Sequence, residues 1–333
     1  MRIAINGMGR IGRAALKVIF GTPGLDIVAV NDIVSIENTA YLLKYDSVYG
    51  IYEKEVSHDK NNLIVDGVNI KYNSERNPEE LPWKENNIDL VIESTGLFTT
   101  MEGAEKHIIA GAKTVVISAP TSSTDVPTVV HGVNTENGKT NIFSCASCTT
   151  NNISPIVEIL GRRIGIKKAI MTTVHAYTAS QGIVDGPSKK NLRMGRAGGV
   201  NLVPTTTGAA IATTKALPQY AGKFDGVAIR VPIPVGSISD MTFVTERPVT
   251  IEEVNAILKE ESLTSRYANV LDTTNEPIVS SDIVKSPFAS TVDLGMTRVV
   301  DGDLLKVMTW YDNEWGFTNQ MIRQILELKD NKI

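Results

Sequence analysis

Gly7-Met8-Gly9-Arg10-Ile11-Gly12 is the stretch that most restricts what this chain can fold into. Glycines at this spacing let the backbone turn tightly at Gly7, approach a bound anion at Gly9 and pack helix against strand at Gly12. Residues 2–6 read as a buried strand, and Ile11, Ala14, Ala15, Val18 and Ile19 recur at helical spacing until Gly21-Thr22-Pro23-Gly24 stops them. The loop therefore joins a strand to a helix N-terminus, where unpaired N–H groups and the helix dipole favour an anion. A second strand, 27–30, leads to Asp32, about 20 residues beyond the loop, where an acid meets the ribose of a dinucleotide. A glycine-rich turn with a capping aspartate accounts for the spacing but not for its place between strand and helix. A carboxylate at Asp32 repels a 2′-phosphate, so the pattern favours NAD over NADP.

At 333 residues, 42 % of them apolar, the chain has material for two cores. Strand and helix signals alternate through the first half: a helix at 37–43, a hairpin at 64–72 around Asp66-Gly67, strands at 90–92 and 115–117, and a helix at 104–110. This rhythm predicts an open parallel sheet with helices on both faces. It changes after Cys148. Ile153, Ile156, Val157, Leu160 and Ile164 share a helix face, and Pro155, which prefers a first turn, puts the helix start near Ser154. Strand-like runs at 169–175, 226–231, 239–245 and 304–310 suit antiparallel pairing. The Gly-, Lys- and Arg-rich stretch 181–199 reads as a long functional or interfacial loop. A last helix, with Met321, Ile322, Ile325, Leu326 and Leu328 on one face, can pack back on the first domain.

The net charge of −4, a pI near 5.7 and the lack of a basic stripe give no support to nucleic-acid binding. Two cysteines make no disulfide framework, and with four scattered histidines they show no metal-ligand spacing. No apolar run reaches the length of a membrane span. Met1-Arg2 leads straight into the first strand, so no targeting segment and a cytoplasmic location are expected.

Ala146-Ser147-Cys148-Thr149-Thr150-Asn151 sets a thiol among hydroxyls, just ahead of the helical run. A nucleophilic cysteine needs a helix N-terminus, a nearby histidine or both. His175 closes an apolar strand among Thr172, Thr173, Tyr177 and Thr178. His58 sits in a polar turn, His107 on a helix with its side chain expected at the surface, and His131 in a loop. On residue type alone, a small buried thiol and a hydrogen-bonded structural histidine remain open as readings.

These motifs resemble the phosphorylating glyceraldehyde-3-phosphate dehydrogenases over nearly the whole length. The resemblance rests on residues 5–13, Leu42-Leu43-Lys44-Tyr45-Asp46-Ser47-Val48, Glu93-Ser94-Thr95-Gly96, the Cys148 hexapeptide, Thr172 to Thr178, Thr207-Gly208-Ala209-Ala210, Arg230-Val231-Pro232 and Trp310-Tyr311-Asp312-Asn313-Glu314. It implies a Rossmann-type NAD-binding domain over 1–148, completed by a C-terminal helix at 314–333. An α+β catalytic domain with an antiparallel sheet follows over 149–313. It implies that Cys148 attacks the aldehyde of glyceraldehyde 3-phosphate, that His175 is the base, and that inorganic phosphate cleaves the resulting thioester. Thr178 and Arg230 are assigned to the substrate phosphate, and Ser147, Thr149, Thr207 and Gly208 to inorganic phosphate. Gly7, Gly9, Arg10, Ile11, Gly12, Asp32, Arg76, Thr95, Gly96, Ser118 and Asn313 are assigned to NAD, with Phe317 at the position of an aromatic beside the nicotinamide. No metal is implied. A homotetramer is implied, with the 181–199 loop at a subunit interface, and so is a helix that begins at the nucleophile itself.

The chain departs from that pattern in places. Ser180 stands where many members are acidic, Ile211 where a lysine is common, and Met194 where a loop arginine is frequent, with Arg193 and Arg196 beside it. Either neighbour can substitute, or inorganic phosphate is bound more weakly; Arg193 is the one assigned to the phosphate site here. Asn152 takes the place of a frequent second cysteine, and Cys145 creates Cys145-Ala146-Ser147-Cys148. Cys145 is either a small buried residue at a strand end or a thiol that joins Cys148 on oxidation. Two other functions compete. An erythrose-4-phosphate dehydrogenase is disfavoured by the retained Thr207-Gly208-Ala209-Ala210, and a redox sensor or binding module by the intact Asp32, Cys148, His175, Arg230 and Asn313.

Overall fold

The computed structural model describes residues 1–134, 140–188 and 191–331. The chain forms two compact units. One comprises Met1–Val129, Glu136–Ala146 and Met321–Ile333, the other Val130–Thr135 and Ser147–Gln320.

The first unit begins β1 (Arg2–Asn6), α1 (Arg10–Ile19), β2 (Asp26–Asn31), α2 (Ile36–Lys44) and a short ladder of β3 (Tyr45–Asp46) with β4 (Gly50–Ile51). It continues through β5 (Val56–His58), β6 (Asn62–Val65), β7 (Val68–Asn73), β8 (Leu90–Glu93), α3 (Met101–Ile109), β9 (Thr114–Ile117) and β10 (Ile142–Ser144). Its main sheet has the order β10-β9-β8-β1-β2-β7-β6-β5. The run from β10 to β7 is parallel, and β6 and β5 extend it as an antiparallel meander. Ile3-Ala4-Ile5, Val91-Ile92 and Val115-Val116-Ile117 are fully buried, as strands covered on both faces must be. The hairpin turn falls on Asp66 and Gly67, both with positive φ. Strand order reverses at β1, which lies between β2 and β8, so a crevice opens at the carboxyl ends of these strands. His107 on α3 departs from its expected place at the surface. It is fully buried, because Trp83 and Glu93 offer its ring two partners from distant parts of the chain.

The second unit comprises α4 (Cys148–Arg163), β11 (Ile166–Ala176), β12 (Val203–Thr206), α5 (Ala209–Ala216), β13 (Phe224–Val231), β14 (Ser237–Thr245) and α6 (Ile251–Ser262). β15 (Leu271–Thr274), β16 (Ser290–Asp293), β17 (Arg298–Val300) and β18 (Leu304–Tyr311) follow, and then α7 (Trp315–Asn331), whose residues from Met321 on belong to the first unit. The sheet runs β12-β13-β11-β14-β18-β16-β15, with β17 on β18. Most pairs are antiparallel, but β11 with β13 and β15 with β16 are parallel, so the sheet is mixed. The chain passes through β12 and α5 between β11 and β13, and that crossover returns β13 to the starting end of β11.

The helix begins at Cys148, where the family resemblance puts it, and not near Ser154, where Pro155 taken alone would start it. Ser147 caps it by accepting a hydrogen bond from Thr150 N at 3.1 Å, and Pro155 lies inside it. An interior proline costs about 3 kcal/mol. Every residue from Thr149 to Leu160 is buried, and each large apolar side chain among them contributes about 1.5–3 kcal/mol. Burial of Ile153, Ile156, Ile159 and Leu160 outweighs the proline.

Candidate active site

Cys148 is the first residue of α4 and is only partly buried. Its Sγ lies 3.3 Å from His175 Nε2. His175 and Arg230 are register partners on the parallel strands β11 and β13, so their side chains leave the same face. Arg230 Nη1 stands 2.8 Å from His175 Nδ1 and 3.0 Å from the Ala176 carbonyl, which is itself 2.6 Å from Nδ1. Burial, reinforced by the Arg230 charge, pushes the His175 pKa down to about 3, against the pull of the Ala176 carbonyl. Burial also holds the Cys148 thiol above its ordinary value, although Arg230 and the hydrogen bonds around Thr149 pull it down. Both shifts favour the neutral forms of the thiol and the imidazole. The imidazole can take the proton as sulfur attacks an electrophile.

Hydroxyls surround this pair. The Ser147 hydroxyl is 2.7 Å from Thr150 Oγ1, and Thr149 Oγ1 is 2.9 Å from the hydroxyl of Tyr311. Tyr311 also lies 2.8 Å from Thr173 Oγ1 and sets its ring edge-on to His175. Thr178 pairs with Ser180 at 2.9 Å, so the serine at this departure point is a hydroxyl partner. Gly208 caps α5, and Thr207 Oγ1 accepts from Ala209 N at 3.2 Å, which puts both at a helix N-terminus. In the long loop, Arg196 is tied to Asp185 at 2.9 Å, whereas the Arg193 side chain is exposed on a short turn without a side-chain partner among the described residues.

The dinucleotide candidates gather in the first unit. Gly7 has φ +97°, and a Cβ there would lie 2.7 Å from Thr95 N; one on Gly12 would lie 1.9 Å from the Gly7 carbonyl oxygen. Gly9 is different, since a Cβ there meets nothing within 4 Å. The space it leaves opens toward the crevice, where an anion at the start of α1 needs close approach to backbone. Asp32 accepts from Met8 N at 2.6 Å and from Val34 N at 2.9 Å, which fixes its carboxylate at the end of β2. Gly7, Gly9, Asp32, Arg76 and Thr95 line a cavity of about 310 Å³. Arg10 and Ile11 open α1, and Arg10 bonds to Asp46 at 2.6 Å. Gly96 adopts φ +73°, and Ser118 Oγ donates to the Glu93 carbonyl at 3.0 Å. Asn313 lies in the second unit, buried, its Oδ1 held by Gly236 N and Ser237 Oγ; Phe317 is buried in the first turn of α7.

Cys145 is buried, and its thiol is pushed up to about 12 by that burial. It has the character of a small core residue. Asn152 is fully buried and donates toward the Ala289 carbonyl, Ser290 and the Trp310 carbonyl, tying α4 to β16 and β18. Sequence reasoning gave no part to Tyr311, Asp46, Asn6 or Asn31. The signal available for Tyr311 was its parity on β18, which aims it at α4. Among the described residues there is no metal-ligand cluster and no helix long and apolar enough to cross a membrane.

Residues 1–101 match the family model for the glyceraldehyde 3-phosphate dehydrogenase NAD binding domain, and 147–313 match that for its C-terminal domain. The chain is 48 % identical to glyceraldehyde-3-phosphate dehydrogenase 2 of Streptomyces avermitilis, over 97 % of this chain and 96 % of that protein. It is 48 % identical to the Thermotoga maritima glyceraldehyde-3-phosphate dehydrogenase, over 96 % and 97 % respectively. The Geobacillus stearothermophilus counterpart is 45 % identical over 97 % and 96 %.

Proposed function

The chain belongs to the glyceraldehyde-3-phosphate dehydrogenase family, and on that premise we propose that it is an NAD-dependent enzyme converting glyceraldehyde 3-phosphate and inorganic phosphate to 1,3-bisphosphoglycerate. The observation that carries the reading is Cys148 Sγ at 3.3 Å from His175 Nε2, at the N-terminus of α4.

In this reading Cys148 adds to the aldehyde carbon while His175 takes the thiol proton and passes it to the carbonyl oxygen, giving a thiohemiacetal and a neutral imidazole. Bound NAD supplies the hydride acceptor. His175 removes the hemiacetal hydroxyl proton as the carbon is oxidised, leaving a thioester on Cys148. Phosphate oxygen then attacks the thioester carbonyl, and the Cys148 thiolate leaves. Arg230 and Thr178 bind the substrate phosphate. Ser147, Thr149, Thr207, Gly208 and Arg193 receive inorganic phosphate with hydroxyls, a helix N-terminus and a guanidinium. Gly7, Gly9, Arg10, Ile11, Gly12, Asp32, Arg76, Thr95, Gly96, Ser118 and Asn313 hold NAD. The fixed Asp32 carboxylate and the open space over Gly9 fit a dinucleotide lacking a 2′-phosphate. Cofactor binding belongs to 1–148 with 314–333, and catalysis to 149–313.

A homotetramer is part of the reading. Ile170, Val227 and Leu304 are exposed on the face of the second sheet that points away from His175, and Ile183 and Leu192 in the long loop and Val200 just after it are exposed too. Apolar side chains so placed suit burial against further copies of the chain. Two free thiols suit the reducing cytoplasm.

The assay is NADH formation from glyceraldehyde 3-phosphate and NAD, with and without phosphate, beside Cys148→Ser. Activity is expected to need phosphate for sustained turnover and to vanish in the variant. An inactive wild type, an active variant, or a strong preference for erythrose 4-phosphate refutes the reading.

A further inference from the structure

Asn6, Asn31 and Glu93 end β1, β2 and β8, and they are direct register neighbours, Asn6 opposite both others. Their side chains therefore leave one face of the sheet, and all three are buried. They are also linked. Asn31 Nδ2 donates to Asn6 Oδ1 at 2.7 Å, and Asn6 Nδ2 donates to Glu93 Oε2 at 2.6 Å. At one end Asn31 clamps the Glu75 backbone, accepting from its N–H at 2.8 Å and donating to its carbonyl at 2.9 Å. At the other, His107 Nε2 lies 3.0 Å from Glu93 Oε2.

The proton positions follow from one residue. An indole N–H can only donate, and Trp83 Nε1 donates to His107 Nδ1 at 3.0 Å. His107 therefore carries its proton on Nε2 and gives it to Glu93. The other carboxylate oxygen, Oε1, receives the N–H and the hydroxyl of Thr95. Glu93 is thus a buried carboxylate whose oxygens are taken up by donors from β1, α3 and the loop after β8. Such a group is costly to bury, and Ile117 occupies the next position of the same row without one.

The members of the row, and Glu75 clamped to its end, stand one or two residues before residues assigned to the dinucleotide. Gly7 follows Asn6, Asp32 follows Asn31, Arg76 follows Glu75, and Thr95 comes two residues after Glu93. Asn6, Asn31, Glu75 and Thr95 line the same cavity as Asp32 and Arg76. We infer that Glu93 is a positioning residue for the cofactor. Through Asn6, Thr95 and His107 it sets the spacing of the chain segments that grip the dinucleotide, without touching it. This rests on the NAD-binding reading above.

The decisive variants are Glu93→Gln and Asn6→Asp/Glu93→Gln. A glutamine cannot accept on both ends, so the single variant sets its amide N–H₂ against the donors of Asn6 and His107. The double variant keeps the charge of the row and reverses the bond, with the glutamine donating to the new aspartate; His107 Nε2, 3.4 Å from the residue 6 side-chain nitrogen that becomes a carboxylate oxygen, then donates to that aspartate instead of meeting the glutamine N–H₂. NAD dissociation constants are measured by titration, alongside KM for each substrate, melting temperature and the rate of Cys148 alkylation by iodoacetamide. Glu93→Gln is expected to weaken NAD about tenfold or more, with KM for the aldehyde and the alkylation rate unchanged, and the double variant to return within about threefold of wild type. If Glu93→Gln does not fold, His107→Leu and His107→Gln replace it. Leucine removes the donor and should weaken NAD, while glutamine keeps it and should not. Wild-type NAD affinity in Glu93→Gln or His107→Leu overturns the positioning role alone. So does a double variant or His107→Gln no better than its partner. A wild type that does not bind NAD overturns the function itself.

Discussion

Gly161→Ala sets two effects of opposite sign against each other. Gly161 lies in α4, where replacing glycine by alanine normally stabilises by about 0.5–1 kcal/mol. A Cβ at this position, however, would lie 1.6 Å from the Tyr220 hydroxyl oxygen and 2.6 Å from its Cζ. Tyr220 is itself buried in the turn after α5, so the ring must retreat by roughly 2 Å into packed surroundings. Overpacking of this kind costs about 1–3 kcal/mol. The net expectation is a loss of about 1–2 kcal/mol, which for a unit of this size lowers the melting temperature by about 2–8 °C. Tyr220→Leu removes the obstruction, so Gly161→Ala/Tyr220→Leu should be more stable than Tyr220→Leu alone. Gly161 is about 20 Å along the helix axis from Cys148. Alkylation of Cys148 should therefore proceed at the wild-type rate in Gly161→Ala. Differential scanning calorimetry at fixed scan rate supplies the comparison. A Gly161→Ala protein that melts above wild type, or a penalty that persists in the Tyr220→Leu background, refutes the steric argument.

Other expectations are shorter to state. His175→Gln should lower kcat by about 10²–10⁴ while leaving the NAD dissociation constant in place, as steady-state kinetics and titration will show. His175 has its pKa depressed on folding, from an ordinary 6.5 to about 3, so its contribution to stability is present above pH 6.5 and lost as pH falls toward 3. The melting temperature of His175→Gln should accordingly fall less steeply with acid than that of wild type. Asp32→Ala should narrow the preference for NAD over NADP by about tenfold or more, read from kcat/KM for each. Glu261 accepts from Arg162 at 2.8 Å and from Arg163 at 2.7 Å, and these bonds hold its carboxyl below the ordinary range. Both arginines are half-exposed, so Glu261→Gln should cost about 1–3 kcal/mol near neutral pH, less than a fully buried pair would. That contribution is present above the ordinary carboxylate range and fades as pH drops through it, so the two proteins should converge in acid.

The parts of the fold that sequence reasoning found are those whose cause is local. The glycine loop, the Asp66-Gly67 turn and the alternation of the first half each announce themselves within a few residues. The misses have distant causes. Pro155 by itself argued for a later helix start, and only the family resemblance put it at the nucleophile, because the cap at Ser147 and burial on every side of α4 were decided by tertiary packing. The parallel pairing of β11 with β13 depends on a crossover through α5, which no strand pattern reports. His107 has the helical spacing of a surface residue until Trp83 and Glu93 arrive from elsewhere in the chain. In the site, motifs singled out Cys148 and His175, which the fold brings within 3.3 Å, whereas Tyr311, Asn6 and Glu93 stood in quoted motifs without a role and Asn31 in none. Their partners lie across strands, and only register brings them together.

The hydroxyls of Thr149, Tyr311 and Thr173 stand in line, and Thr173 also reaches the Ile238 carbonyl at 3.4 Å. Each carries one hydrogen, so the line has a direction. If Thr173 donates to the Ile238 carbonyl, Tyr311 donates to Thr173, and Thr149 must donate inward to Tyr311, showing only lone pairs to its surroundings. If Thr149 donates outward to an anion, every proton turns over: Tyr311 donates to Thr149, Thr173 to Tyr311, and the Ile238 carbonyl is released. Burial favours the protonated Tyr311 phenol, so each of the three hydroxyls keeps a hydrogen to give. An anion received by Thr149 is thus registered on β18, β11 and β14 at once, as a single reversal of polarity running into the sheet.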